Sequence, residues 1–122
     1  MSASGLVAAA DRMMTPHVKP ADSRAARRQF RMLDGLFDDW VSDPDERVKF
    51  ILASYNAGYG HVIDAIKLAE KNGLDAGKWE DNVSLFLERK SDPVCFGDSV
   101  VRTGRLRQGV QVNAYVADIL KR

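Results

Sequence analysis

Cysteine is nearly absent from this 122-residue chain: Cys95 stands alone and has no partner for an internal disulfide. A lone cysteine of this kind reads as a small buried or half-buried residue rather than as a nucleophile. Histidine is scarce too. His17 and His61 have no Cys or carboxylate cluster at ligand spacing, which argues against a metal site, and no cofactor is expected. No apolar run approaches the roughly 20 residues of a membrane span, so no transmembrane segment is expected. Met1 to Gly5 shows no basic stretch leading into an apolar core, so the chain carries no visible secretory signal. Neither sign of charge is in excess: 18 Lys and Arg against 17 Asp and Glu leave +1. That balance gives no global electrostatic case for nucleic acid or membrane as partner. Glutamate first occurs at Glu46. What remains is ordinary: 45% hydrophobic and 29% charged residues, enough for one domain with a modest core.

The hydrophobic pattern is helical almost throughout. Ser4 is placed to cap a short helix running to Met13 or Met14, and Pro16 and Pro20 mark residues 15–21 as a loop. A long helix capped by Asp22 or Ser23 follows. Its Ala26, Phe30, Leu33, Phe37 and Trp40 recur at offsets of 4, 7, 11 and 14, one face of a helix. Arg24, Arg27, Arg28 and Arg31 lie off that face, as a solvated surface or a patch for an anionic ligand. Asp43-Pro44-Asp45-Glu46 combines a cap, a proline at the first helical position and a glutamate at the third, a capping-box-like start. That helix runs to about Ala57, where Gly58 accepts the left-handed conformation that ends it. The next helix buries Val62, Ile63, Ala65, Ile66 and Ala69 and stops at Asn72-Gly73. Trp79 falls in a loop, before a short helix at about Asn82 to Arg89 with Val83, Phe86 and Leu87 inward. Ser91-Asp92-Pro93 begins a further turn. Residues 97–109, with three glycines, read as irregular or as a small hairpin. A last helix from about Val110 to Lys121 buries Val112, Tyr115, Val116, Ile119 and Leu120. The expectation is a single all-α domain.

Ser54-Tyr55-Asn56-Ala57-Gly58-Tyr59-Gly60-His61-Val62 is the most informative stretch. An apolar helical run delivers two polar side chains to a helix end, where glycines turn the backbone. Each residue has two readings. Tyr55 packs in the core with its hydroxyl satisfied, or faces a groove. Asn56 bonds to helix-end backbone, or contacts a ligand. His61 caps or packs, or reaches a ligand. Trp79 covers a core edge, or stacks on a ligand.

The Tyr-Asn-Ala-Gly segment, preceded by Glu46-Arg47-Val48-Lys49-Phe50-Ile51-Leu52-Ala53, resembles the third block of the lytic transglycosylases, the lysozyme-like enzymes of bacterial cell-wall glycan. Gly60-His61-Val62, Asp64-Ala65, Leu68-Ala69, Gly73, Trp79, Asn82-Val83, Lys90-Ser91-Asp92-Pro93 and the closing Asn113 to Leu120 are similar to the continuation in the membrane-bound F type. Residues 22–122 are family-like and 1–21 divergent. Ser4-Gly5-Leu6-Val7-Ala8 looks like a degraded Gly-Leu-Met-Gln block. The Glu-Ser block that carries the family's acid has no counterpart, and Arg105-Leu106-Arg107 stand where the subgroup has an aromatic stretch.

The resemblance implies a lysozyme-like helical domain, N-terminally truncated or degenerate, with peptidoglycan glycan strands as partner and a periplasmic or cell-envelope location. It also implies a chemistry. One glutamate protonates the glycosidic oxygen, then accepts the proton of the muramic acid 6-hydroxyl as that oxygen closes a 1,6-anhydro ring. The acid must be kept neutral near pH 7 by an apolar site. Tyr55 and Asn56 are the transferable substrate contacts, with His61 and Trp79 as further candidates. Glu46, Glu70, Glu80 and Glu88 are candidates for a replacement acid only as carboxylates, with Glu46 first among them. The expected activity is glycan recognition with weak or no cleavage. The alternative is a non-catalytic assembly module with a protein partner, or a homodimer that covers the face left by a missing helix.

Overall fold

Six helices organise the described residues, 20–121, of the computed structural model: α1 (Pro20–Phe37), α2 (Pro44–Ala57), α3 (Tyr59–Lys71), α4 (Ser84–Arg89), α5 (Pro93–Phe96) and α6 (Gly109–Lys121). No strand occurs among them. The described chain is all-helical, consistent with a lysozyme-like transglycosylase domain. The short helix expected from Ser4, the degraded block at Gly5 to Ala8 and His17 lie outside the described residues.

The loop expected over residues 15–21 yields at Pro20, which is the first residue of α1. Proline suits a first helical turn, because the N–H it lacks would have no intrahelical partner there. Ala26, Phe30, Leu33 and Phe37 form the buried stripe, as the spacing predicts. Trp40 does not continue it. The helix has ended, the N–H groups of Trp40 and Val41 both return to the Phe37 carbonyl at 3.1 and 2.9 Å, and Trp40 is half-buried in the turn.

The start of α2 is half of a capping box. Asp43 Oδ1 accepts the Asp45 N–H at 2.9 Å and Pro44 opens the helix. Glu46 does not reach back to the cap; its carboxylate faces outward to Lys49 and to the turn at Trp79. From Phe50 to Ser54 every residue is buried, which only a helix covered on all sides permits. The covering elements are α1, α3 and α6. Phe37, Phe50 and Trp79 pack through this centre in tilted and edge-to-face contact, with ring centroids 5.9 and 5.0 Å apart. Each such ring contributes on the order of 2 kcal/mol by leaving water. Arg47 ties the end of α1 to α2, donating from Nε to Asp34 at 2.8 Å and from Nη1 to Asp38 and the Val41 carbonyl at 3.1 and 2.8 Å.

In α3, Val62, Ala65, Ile66 and Ala69 are buried as expected, Ile63 is only half-buried, and Leu68 and Asp64 join the buried face. Residues Trp79–Val83 form a kinked turn, with Glu80 extended and Asp81 at φ 60°. Phe86 and Leu87 of α4 point inward, and Asp92 caps α5 by accepting the Val94 N–H at 2.9 Å. The glycine-bearing segment before α6 is irregular and forms no hairpin. In α6, Val112, Val116 and Ile119 are buried, whereas Tyr115 and Leu120 are half-buried.

Candidate functional site

The corner between α2 and α3 is built by a helix that has to stop. Gly58 sits at φ 103°, which side chains disfavour, and its N–H closes on the Ser54 carbonyl at 2.8 Å. Tyr55 and Asn56, in the last turn before it, are both exposed. One part of the Tyr55 ring is braced by Phe30, at 5.6 Å between centroids, while 38% of the residue remains open to solvent. The Asn56 side chain makes no hydrogen bond to the described residues, so it is not the helix-end bond that one reading of the sequence offered. Tyr59 is half exposed on the far side of Gly58.

Behind this corner lies a buried polar cluster. Lys90, fully buried at the end of α4, donates from Nζ to Asp64 Oδ2 and to His61 Nδ1, each at 2.7 Å. Asp64 is 1% exposed and also accepts the backbone N–H of Arg102 on Oδ1 at 2.8 Å and of Thr103 on Oδ2 at 2.9 Å. Burial would push the Asp64 carboxyl up. The Lys90 hydrogen bond, the two backbone N–H groups and the Lys90 charge outweigh it and hold the pKa below the usual carboxylate value. At Lys90 the balance falls the other way, and desolvation lowers the ammonium pKa against the pull of Asp64. Asp64 collects three donors and no competing acceptor, which favours the charged carboxylate beside the ammonium. The pair is therefore ionic near neutral pH.

His61 follows from Lys90. An ammonium only donates, so Nδ1 must accept, and a neutral imidazole then carries its proton on Nε2. Burial first, and the Lys90 charge second, lower the His61 pKa; Asp64 opposes them. Among the described residues the one buried side-chain polar atom without a partner is Asn113 Oδ1. His61 Nε2, which takes no partner either, therefore opens to solvent. The corner thus offers a phenol, a carboxamide and a fixed N–H donor.

The other sequence candidates sit elsewhere. Glu46 lies in the first turn of α2, nine residues before Tyr55, about 13 Å away along the axis at 1.5 Å per residue. Its two oxygens are occupied, by Lys49 Nζ at 2.7 Å and the Trp79 N–H at 2.8 Å, so it braces a turn. Trp79 is 3% exposed with its ring edge-on to Phe50, a core residue rather than an exposed platform for a sugar. Glu70, Glu80 and Glu88 are exposed. Trp79 and the last two border a cavity of about 240 Å³ between α4 and α6, with Lys49 and Asn113. Arg24, Arg28 and Arg31 are exposed on α1, and Cys95 is half-buried. No group of metal-ligating side chains occurs among the described residues, and no described helix is long and apolar enough to cross a membrane.

Asp64 and Lys90 stand in the sequence as family-like positions with no role assigned, yet one signal points to Asp64. Asp64 lies one turn before Leu68 on a stripe that is otherwise apolar, and a carboxylate there requires a buried cation.

No protein-family model matches the chain. Three curated relatives share the name membrane-bound lytic murein transglycosylase F. The Pseudomonas fluorescens protein is 46% identical over 82 residues, covering 67% of this chain and 16% of the relative. The Maricaulis maris protein is 42% identical over 90 residues, covering 71% and 19%. The Pseudomonas syringae pv. tomato protein is 40% identical over 92 residues, covering 75% and 18%. The chain thus spans less than a fifth of the length of these relatives.

Proposed function

Because this chain is a relative of the lytic transglycosylases, we propose that it recognises the glycan strands of peptidoglycan, at the corner formed by Tyr55, Asn56 and His61, in the bacterial envelope. The observation that carries the reading is the exposure of Tyr55 and Asn56 side by side on a helix end that Gly58 holds still. A sugar presents hydroxyl and acetamido groups around a weakly apolar ring. A braced phenol, an unpartnered carboxamide and an imidazole N–H match that chemistry without needing a charge.

Recognition is proposed without efficient cleavage. A proton donor to a glycosidic oxygen must be a carboxyl kept neutral in a dry site. Among the described residues the one buried carboxylate is Asp64, and its donors keep it ionised. Glu46 is committed to Lys49 and the Trp79 N–H. The described segment therefore supplies a wall for the glycan, and any acid comes from outside it.

The test is co-sedimentation with purified peptidoglycan, with mass spectrometry of the soluble fraction. Binding is expected, weakened about tenfold or more by Asn56→Ala together with Tyr55→Phe, since each removed hydrogen bond is worth roughly 1 kcal/mol. Anhydro-ended products are expected to be scarce. Undiminished binding by the double variant would move the site elsewhere, and abundant anhydro products would contradict the absence of a competent acid.

A further inference from the structure

The segment between α5 and α6 is irregular yet firmly held. The Asp64 carboxylate takes the N–H groups of Arg102 and Thr103, and the Leu106 N–H bonds to the Lys90 carbonyl at 3.3 Å. Thr103 packs so closely on α3 that a Cβ at Gly60 would lie 2.5 Å from its hydroxyl oxygen. The Arg105 guanidinium rests 5.6 Å over the Phe96 ring. These contacts fasten the segment against the Tyr59-Gly60-His61 turn, beside the proposed glycan wall.

What the segment displays is positive charge. Arg102, Arg105 and Arg107 are all exposed, and none has a carboxylate within ion-pair distance among the described residues. The acids nearby are already committed. Asp64 is neutralised by buried Lys90, Asp98 holds Lys71 Nζ at 2.9 Å and the Val100 N–H at 3.0 Å, and Asp92 caps α5. In a chain of net charge +1, three guanidiniums with no carboxylate partner among the described residues, on one anchored loop, are a local feature.

We propose that this arginine loop makes the corner selective for glycan that carries carboxylates over neutral glycan. The inference rests on the reading of Tyr55 and Asn56 as glycan contacts. The carboxylates have two sources in the cell wall, the lactyl group of muramic acid and the acidic peptide stems. Guanidinium groups meet carboxylates through paired N–H donors, and a loop already ordered by Asp64 and Phe96 loses little freedom on binding. Exposed charges act over a Debye length, so the preference must weaken with salt.

The experiment compares the whole chain on three probes: neutral chitin oligosaccharides, peptide-free glycan strands and peptide-bearing strands. Wild type is expected to bind a carboxylate-bearing probe about tenfold tighter than chitin at low salt, with most of the difference lost at several hundred millimolar. Tight binding of both carboxylate probes assigns the lactyl group; tight binding of the peptide-bearing strands alone assigns the stems. The triple variant R102Q/R105Q/R107Q, checked for an unchanged fold by circular dichroism, should erase the preference and leave chitin binding intact. A preference that survives in the triple variant, or chitin bound as tightly as the others, would overturn the proposal while leaving the glycan wall standing. Binding to none of the probes would overturn both readings. Equal, arginine-dependent binding to anionic lipid vesicles or to duplex DNA would show a general polyanion surface and also overturn the selectivity.

Discussion

Asp64 carries a heavier structural demand than any other described side chain, because four groups depend on it. It neutralises Lys90, and through Lys90 it sets the face that His61 presents; it also fastens the Arg102 and Thr103 backbone. Asp64→Asn should cost about 3–5 kcal/mol in urea unfolding, since it strands a buried ammonium. Asp64→Asn with Lys90→Met should recover part of that loss, which separates the stranded charge from mere loss of packing. His61 gives a pH signature. Its folded pKa lies below the ordinary 6.5, so its contribution to stability is complete above 6.5 and fades as pH falls through the folded value. Asp64, also depressed but from 3.8, acts only in a much more acidic window. Unfolding measured from pH 8 to 5 should therefore show a loss in wild type that His61→Gln lacks; the same slope in both would assign it elsewhere. The Tyr-Asn pair was legible as a motif, and its surface position follows from the glycine stop. The Lys90 cluster was not, because Lys90 lies far along the chain from His61 and Asp64 and meets them only when α3 and α4 pack.

At the scale of elements, local signals predicted well where a local rule decides the outcome. Asp43-Pro44 and Asp92-Pro93 both start helices with the aspartate accepting an N–H two residues on. Gly58 ends α2, and Gly58→Ala should cost about 1–2 kcal/mol, because φ 103° is strained for any residue with a Cβ. An unchanged urea midpoint would mean that the corner relaxes, and with it the fixed position of Tyr55 and Asn56. Signals failed where tertiary contacts compete. Glu46 fits a capping box by spacing, yet its carboxylate accepts from the Trp79 N–H and from Lys49 instead. Trp79 sits in a turn, as expected, but its ring fills the space beside Phe50, so turn and surface are not equivalent. Trp40 fits the α1 stripe by offset, but the helix ends at Phe37.

Across the described residues, the design is a central helix, α2, wrapped by α1, α3 and α6, with its C-terminal end left open as the proposed glycan wall and its N-terminal end closed by Glu46 and Trp79. The proposed function concerns the open end. The central claim is met most directly by nuclear magnetic resonance of the labelled chain titrated with soluble muropeptide glycan. The account predicts that the amide and side-chain signals of Tyr55, Asn56 and His61 shift first and together with Arg102 and Thr103, while the arginine-bearing face of α1 stays still. Shifts confined to that α1 face, or to the cavity between α4 and α6, would contradict it.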